Sequence, residues 1–423
     1  MISILARDTK VSGFVGCKCQ WHPYRYNGRA TTRSISTFHH DNLRIQLSVE
    51  NQEHLHPLDT TPLEVSSDPD KDPICLSCQA LLTSIQQQQQ QQQINPDESI
   101  LASTEAYRVF HGRGGFYGPD CEQFTLDWFP PVWVLTSFQP EPLSSKELAT
   151  IDHALECKWD DEMAKFQSSN LEDPPPSFAW VYQNRYRNNV TNSIMRGPIP
   201  EIHIVTENGA QYWVQTTADS DGAKGQRHRG IFLDMANGRK WLQENAEGKI
   251  ILNLFAYTCA FSVAALLGGA DEVINIDKVQ GALKIGQRNH ELNGFGAAGR
   301  ARFLNHDIFK TWGKLRKLGP YDIIVVDPPS YQKGSFVAKT DYIKLVRRLP
   351  DMLVPTDEQV GGSRSQVLFC LNAPELGVDF LKQQVSEGAP ELRFVKQVEN
   401  PSSFPGKDPE KALKVLLYEL ADD

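Results

Sequence analysis

From Lys249 to the end of the chain, apolar positions alternate between two kinds of segment. Short runs rich in Ile, Val and Leu, at Lys249 to Phe255, Glu272 to Ile276, Ala301 to Asn305, Tyr321 to Val326 and Gln366 to Leu371, have the composition of buried strands. Between them, Phe261 to Leu267, Val279 to Leu292, a stretch near Phe309 to Leu318, Asp341 to Leu353 and Glu375 to Ser386 place apolar residues at helical spacing. This alternation predicts a parallel, doubly wound α/β sheet. Leu392 to Val398 and Leu413 to Leu420 close the chain as two strands with no helix between them, which puts one antiparallel strand at the sheet's end.

Upstream the rhythm differs. Phe124 to Phe129 and Val132 to Thr136 read as strands around Pro130-Pro131, Ser145 to Phe166 as an amphipathic helix, and Glu172-Asp-Pro-Pro-Pro-Ser177 as a stiff link. Phe178 to Tyr182, Glu201 to Val205 and Gln211 to Gln215 read as further strands. Residues 105 to 224 are therefore expected to form a small α+β domain. Residues 1 to 104 show no sustained periodicity and carry a glutamine run from Gln86 to Gln93, so a disordered tail is expected there. Its first 40 residues hold Arg7, Lys10, Lys18, Arg25, Arg29 and Arg33 against the single acid Asp8, which resembles an organelle transit peptide; a solvated basic tail is the alternative. The compartment is left open between the cytoplasm and an organelle, mitochondrion or chloroplast. No apolar run approaches the roughly 18 to 20 residues of a membrane-spanning helix, and no membrane partner is expected.

With 423 residues and 40% hydrophobic content, the chain can bury a core in two or three units. A formal net charge of -9 repels polyanions, so any nucleic acid must be held by local basic patches. Lys224 to Arg229, Arg185 with Arg187 and Arg196, and Lys339 with Lys344, Arg347 and Arg348 are the candidates. The eight cysteines are scattered, and reduced thiols are expected. Cys17 and Cys19 with His22, and Cys75 with Cys78, have the ligand types of a zinc site, but more than fifty low-complexity residues separate the pairs and no metal is expected.

In open α/β sheets a ligand lies beyond the carboxyl ends of the strands, near the point where the strand order reverses. The first strand runs into Asn253-Leu-Phe-Ala-Tyr-Thr-Cys-Ala-Phe261, a turn into a helix that lacks the glycine triplet of a dinucleotide site. Asp277 follows the second strand, where a carboxylate can accept from both hydroxyls of a ribose; a cap on free backbone N–H groups is the alternative. His306-Asp307 follows the third, with the same pair of readings for an adenine amine. The fourth ends in Asp327-Pro-Pro-Ser-Tyr331, the most specific of these signals. Two prolines fix the backbone, so carbonyls and a carboxylate are presented rigidly, and Tyr331 can stack on a planar base.

These positions resemble the class I S-adenosylmethionine methyltransferases, specifically the ribosomal RNA large-subunit methyltransferase I and K-like family. The match is carried by Gly225-Gln226, Gly230-Ile-Phe-Leu-Asp234 with Arg239, Asn253 to Thr258, Asp277, Asn305-His-Asp307 and Asp327 to Tyr331. His111-Gly-Arg-Gly114 and Asp127-Trp-Phe-Pro-Pro131 are similar to the front half of a short bacterial branch of that family. The resemblance implies a Rossmann-like seven-stranded methyltransferase sheet over 225 to 423 and S-adenosylmethionine as cofactor. Asp277 would then hold the ribose, Asp307 the adenine, and the turn with Phe255, Tyr257, Thr258 and Cys259 the methionine part, with Asn253, Lys278 and Ile308 as further cofactor contacts. Gln226, Phe232, Asp234 and Arg239 would close the site, and Asp327, Pro328, Pro329 and Tyr331 would face the target, with Asp327 also touching the cofactor. Cys259 stands where relatives usually have glycine.

The sulfonium is already a strong electrophile, so the enzyme mainly aligns a nucleophile. A ring nitrogen with a free lone pair needs no base, whereas cytosine C5 needs attack by a cysteine thiolate. Cys370, after the fifth strand, is a candidate nucleophile with a buried structural thiol as the alternative, and Asn372 is better placed to bond a base edge. The expectation is methylation of an RNA base, ribosomal RNA first, at a purine nitrogen. A cytosine-C5 enzyme, a protein or small-molecule methyltransferase of the same fold, and a non-catalytic scaffold stay open.

Overall fold

The computed structural model describes residues 76–86, 98–168, 174–187, 189–200, 202–216, 230–296, 299–332, 336–358 and 364–421. The basic segment, the Cys17, Cys19, His22 and Cys75 candidates and Gln226 with the Lys224 to Arg229 loop lie outside the described residues.

The fold begins earlier than the sequence pattern indicates. Helix α1 (Gln79–Gln86) buries Leu81, Leu82 and Ile85, and Leu76 and Cys78 enter the same core. Cys78 is disulfide-bonded to Cys121, 43 residues on, against the expectation of reduced thiols throughout. Cys78 is thus occupied and cannot be half of a zinc pair. The signal for α1 was weak because only one turn of apolar spacing precedes the glutamine run. The boundary at 105 therefore moves toward the N-terminus.

Next come β1 (Tyr107–His111), β2 (Phe124–Phe129), β3 (Val132–Ser137), α2 (Ser145–Ser168), β4 (Ala179–Tyr186) and β5 (Asn189–Arg196). They form a five-stranded sheet in the order β1-β2-β3-β4-β5, with α2 as the crossover between parallel β3 and β4. Every residue of β2 and β3 is buried, because both faces of the sheet are covered. On one face Trp128, Trp133 and Trp180 pack against Ile151, Leu155 and Trp159 of α2 and against α1. On the other, Val132, Val134 and Val181 meet a separate hairpin, β6 (His203–Glu207) and β7 (Ala210–Val214), together with Ile231, Leu233 and Val263. Strand β5 has no apolar alternation and sits at the sheet edge, largely exposed, which is why its sequence does not announce it.

The rest of the chain carries the strands β8 (Ile250–Leu254), β9 (Glu272–Asp277), β10 (Ala301–Asn305), β11 (Ile323–Val326), the short separate pair β12 (Tyr331–Gln332) and β13 (Phe336–Val337), β14 (Gln366–Leu371), β15 (Leu392–Val398) and β16 (Lys414–Leu420). The helices are α3 (Ala236–Asn245), α4 (Ala260–Leu267), α5 (Gln280–Leu292), α6 (Trp312–Leu318), α7 (Ala338–Val346) and α8 (Val378–Gly388). Leaving out β12 and β13, which pair with each other, the order is β10-β9-β8-β11-β14-β16-β15, the seven-stranded arrangement that the resemblance implies. The antiparallel strand is β16, inserted between β14 and β15 rather than at the margin. Helix α7 is shorter than its apolar period indicates because Pro350 has no N–H to continue it; a single 3-10 turn, Pro350–Met352, follows. The strand order reverses between β8 and β11, so a crevice opens above those two strands. Among the described residues no helix is long and apolar enough to cross a membrane.

Leu81, fully buried, tests whether the segment before 105 belongs to the fold. Leu81→Ala is expected to lower unfolding free energy by about 2 to 4 kcal/mol in denaturant titration, the usual cost of an emptied core site. A silent substitution would mean that α1 is not part of the cooperative unit.

Candidate active site

The crevice is a cavity of about 580 Å³, a volume ordinary for a small-molecule site. It is walled by the ends of β8, β9, β10, β11 and β14 and roofed by the segment entering α3.

The turn after β8 sets its floor. Phe255, Tyr257 and Cys259 take left-handed φ angles of 58°, 48° and 60°, three side-chain-bearing residues where glycine is favoured. Such backbone costs roughly 1 to 3 kcal/mol per residue and persists only where neighbours over-determine it. The neighbours do so here. Tyr257 N donates to Asp277 Oδ2 at 2.9 Å, Ala256 N to the Ile276 carbonyl at 3.0 Å, and Asn289 Nδ2 to the Thr258 carbonyl at 3.0 Å. Beneath the turn runs a buried polar chain: Asn253 Nδ2 donates to Asn275 Oδ1 at 2.9 Å, Asn275 Nδ2 to Ser262 Oγ at 2.9 Å, and Ser262 Oγ lies 2.8 Å from His290 Nε2. Asn253 and Cys259, expected among cofactor contacts, therefore sit behind the turn and do not line the cavity. Asn253 anchors the polar chain, and Cys259 packs its sulfur against Gly286 of α5, where an added Cβ would stand 2.5 Å away.

Asp277 serves as a cap on backbone N–H groups and also lines the cavity. Oδ1 accepts from Val279 N at 2.7 Å while Oδ2 holds the turn. A carboxylate offers about four lone-pair positions, so two remain for ligand hydroxyls. Asp307 is likewise a cap, its Oδ1 accepting from Phe309 N at 3.0 Å, and it lines the cavity beside Ile308, Lys278, Phe309 and His306. Phe232, Val279 and Phe255 add apolar wall suited to a planar heterocycle.

Phe232, Asp234 and Arg239 also line the cavity. Arg239 is not available to a ligand as a bare cation. Its Nε and Nη2 donate to Glu207 of β6 at 2.6 and 2.7 Å, both buried, and Nη2 donates again to the Phe232 carbonyl at 2.8 Å.

At the other end stand Asp327, Pro328, Pro329, Ser330, Tyr331 and Asn372. The Ser330 hydroxyl donates to the Asn372 carbonyl, and Asn372 Nδ2 to Asp234 Oδ2 at 3.4 Å. Tyr331 is 67% exposed and free to meet a ligand from outside. Burial, and then the negative charge of Asp234, push the Asp327 carboxyl up to about 7, with Arg239 opposing. Burial also raises Asp234, against Arg108 and Arg239.

Cys370 does not reach the cavity. It is fully buried with Leu368, Val415 and Phe261, and burial holds its thiol well above the usual range, which disfavours the thiolate that carbon methylation requires. Sequence reasoning missed Ile231, Met235, Ala260, Phe261 and Leu413 in the lining. They are apolar and carry no pattern that separates them from core.

The Cys259–Gly286 contact can be tested by stability. Gly286→Ala should cost about 1 to 3 kcal/mol through overpacking despite the better helix propensity of alanine. Cys259→Gly in the same chain should recover most of that loss, and an additive double mutant would show the two sites uncoupled.

The sequence model of the S-adenosylmethionine-dependent methyltransferase family matches residues 107–419. Similar curated proteins include ribosomal RNA large subunit methyltransferase I of Aeromonas hydrophila, 44% identical over 106 residues that make 25% of this chain and 26% of that protein. Ribosomal RNA large subunit methyltransferase K/L of Psychrobacter sp. is 35% identical over 159 residues, 36% of this chain and 19% of that one. The matched segment thus spans about a quarter of the length of the first relative and about a fifth of the second. A putative S-adenosylmethionine-dependent methyltransferase from Streptococcus mutans superposes with a TM-score of 0.62 at 24% identity, covering 82% of this chain and 83% of its own, and so shares the fold. A putative methyltransferase solved with S-adenosylhomocysteine superposes with a TM-score of 0.63 at 23% identity over the same shares of the two chains. With a family match running from β1 almost to the end of β16, and a cavity at the reversal point of a seven-stranded sheet, this chain belongs to the S-adenosylmethionine-dependent methyltransferases.

Proposed function

We propose that this protein transfers the methyl group of S-adenosylmethionine to a base of RNA, ribosomal RNA first, at a purine nitrogen. The cavity's donor set fits the cofactor: Asp277 keeps two free lone-pair positions for ribose hydroxyls, Asp307 with Phe309 and Ile308 suits an adenine, and the volume is adequate. When bound, the cofactor supplies an activated methyl group. The protein's own part is to orient the acceptor and keep water from the reacting atoms.

The observation that carries the reading is the target end. The Pro328 and Pro329 nitrogens carry no hydrogen, so this backbone presents carbonyls without competing donors, and Ser330 ties it to Asn372. Asp327 and Asn372 add an acceptor and a donor for the edge of a base, and exposed Tyr331 offers a stacking surface. The names of the curated relatives support ribosomal RNA as substrate. The buried thiol of Cys370 argues against a cytosine-C5 product.

Two measurements test this. Calorimetric titration of S-adenosylmethionine into the full chain should give binding that Asp277→Ala weakens by about 100-fold, the loss of two charge-assisted hydrogen bonds. Incubation with methyl-labelled cofactor and separate pools of ribosomal RNA, transfer RNA, protein and small metabolites, followed by digestion to nucleosides, should place the label in a purine. Label in 5-methylcytidine, in protein or in no pool would overturn the proposal, and label that survives Cys370→Ser is expected.

A further inference from the structure

The cavity contains a charge imbalance that hydrogen bonding does not resolve. Asp234 enters from the turn before α3 and Asp327 from the end of β11, and both line the same cavity with Asn372 beside them. Lys278 and His306 line the cavity at its β9 and β10 end, and the cations that act on the two carboxyls are already engaged. Arg239 is held by both oxygens of Glu207 and by the Phe232 carbonyl. Arg108 of β1 donates to both oxygens of Asp127 of β2, at 2.5 and 3.3 Å. Lys414 of β16 donates to the Ala373 carbonyl at 3.0 Å and lies near Glu375, Asp408 and Glu410. Cys370 of β14 and Tyr342 of α7, which also feel the charge of Asp327, are kept neutral by burial. Two carboxyls thus remain at the target end with no ion-pair partner among the described residues.

Their place along the sheet gives this imbalance a use. Reading across the strand tips, Asp307 ends β10, Asp277 ends β9, the left-handed turn ends β8, and Asp327 ends β11. Adjacent strands lie about 4.8 Å apart, so a cofactor held by Asp307 and Asp277 at its adenosine end would have its sulfonium near the β8 turn, one strand from Asp327. Resting on the cofactor reading above, we propose that Asp234 and Asp327 together are the counter-charge for the sulfonium, so that the cavity holds the cationic methyl donor more tightly than its uncharged product. Loss of the methyl group turns the sulfonium into a neutral thioether, and transfer itself then removes the attraction and favours product release. Asn372, donating to Asp234, is a positioning residue for that carboxyl.

The selectivity has a pH signature. The Asp327 carboxyl, raised to about 7 by burial and by Asp234, is charged above that value and neutral below it. The preference for a cation is therefore present at pH 7.5 and is lost as pH falls through 7 toward 5.5, while binding of the neutral product lacks this attraction.

The test is calorimetric titration of the full chain with S-adenosylmethionine and, separately, S-adenosylhomocysteine between pH 5.5 and 7.5. At pH 7.5 the donor should bind about tenfold more tightly than the product, a ratio shrinking to about twofold at pH 5.5, as expected for charges several ångströms apart at the effective dielectric of a partly buried site. Asp234→Asn and Asp327→Asn should each cut the ratio about fivefold at pH 7.5 while keeping product affinity within twofold, which also reports that they are folded. A wild-type ratio that is flat with pH, or variants that keep the wild-type ratio, would overturn the proposal; where a variant binds neither ligand, the wild-type titration decides. No RNA is involved, so failure of the substrate reading leaves this result standing. Failure of the wild type to bind either ligand overturns the cofactor reading and this proposal together.

Discussion

The bidentate pair between Arg239 and Glu207 holds the site in its working shape. Each partner is about 95% removed from solvent, and the same guanidinium takes the Phe232 carbonyl, so one side chain links the β6–β7 hairpin, the roof segment before α3 and the helix that carries it. Desolvating two charges costs much of what their attraction returns, and a buried pair is a weak source of net stability. What it supplies is registry. Removing one partner leaves an uncompensated buried charge at a cost of several kcal/mol, so the roof has a single low-energy place to sit. Phe232 and Asp234 enter the cavity from that roof.

The front half of the chain is an equal partner in forming the site. Its five-stranded sheet presents one face to α1 and α2 and the other to a core shared with Ile231, Leu233 and Val263 of the catalytic half. The β6–β7 hairpin is further tied to α5, where Asn289 Oδ1 and Asn293 Oδ1 accept from Trp213 N and Gln211 N, both at 2.9 Å. Asn289 also holds the strained turn through the Thr258 carbonyl. The backbone strain at Phe255, Tyr257 and Cys259 is thus sustained partly by an element that also braces the other half of the chain.

The cavity is organised as a gradient of availability. At the β9 and β10 end, Asp277 and Asp307 are half used by backbone N–H groups, which fixes their orientation and leaves lone pairs for a ligand. At the β11 and β14 end both carboxyls are raised by burial, Asp327 also by the charge of Asp234 and Asp234 by that of Asp127, and the nearby cations are locked elsewhere. One end presents carboxylates oriented by the backbone, the other buried carboxyls without an ion pair among the described residues.

Much of this was legible in the chain. Alternation of apolar runs and helical periods from residue 249 onward determined the doubly wound sheet, because buried parallel strands must be continuously apolar, and the residues ending each strand then had to surround one crevice. Fifteen of the residues singled out on that basis and by resemblance, from Phe232 to Asn372, do line it. Tertiary structure alone decided the rest. Asn253, Cys259 and Arg239 have side-chain chemistry suited to ligands, yet their partners, Asn275, Gly286 and Glu207, are 22, 27 and 32 residues away in sequence, and only packing reveals that they are taken. Helix α1, strand β5 and the Cys78–Cys121 bond escaped for the same reason: short or polar segments owe their order to what covers them, and a local pattern carries no record of that.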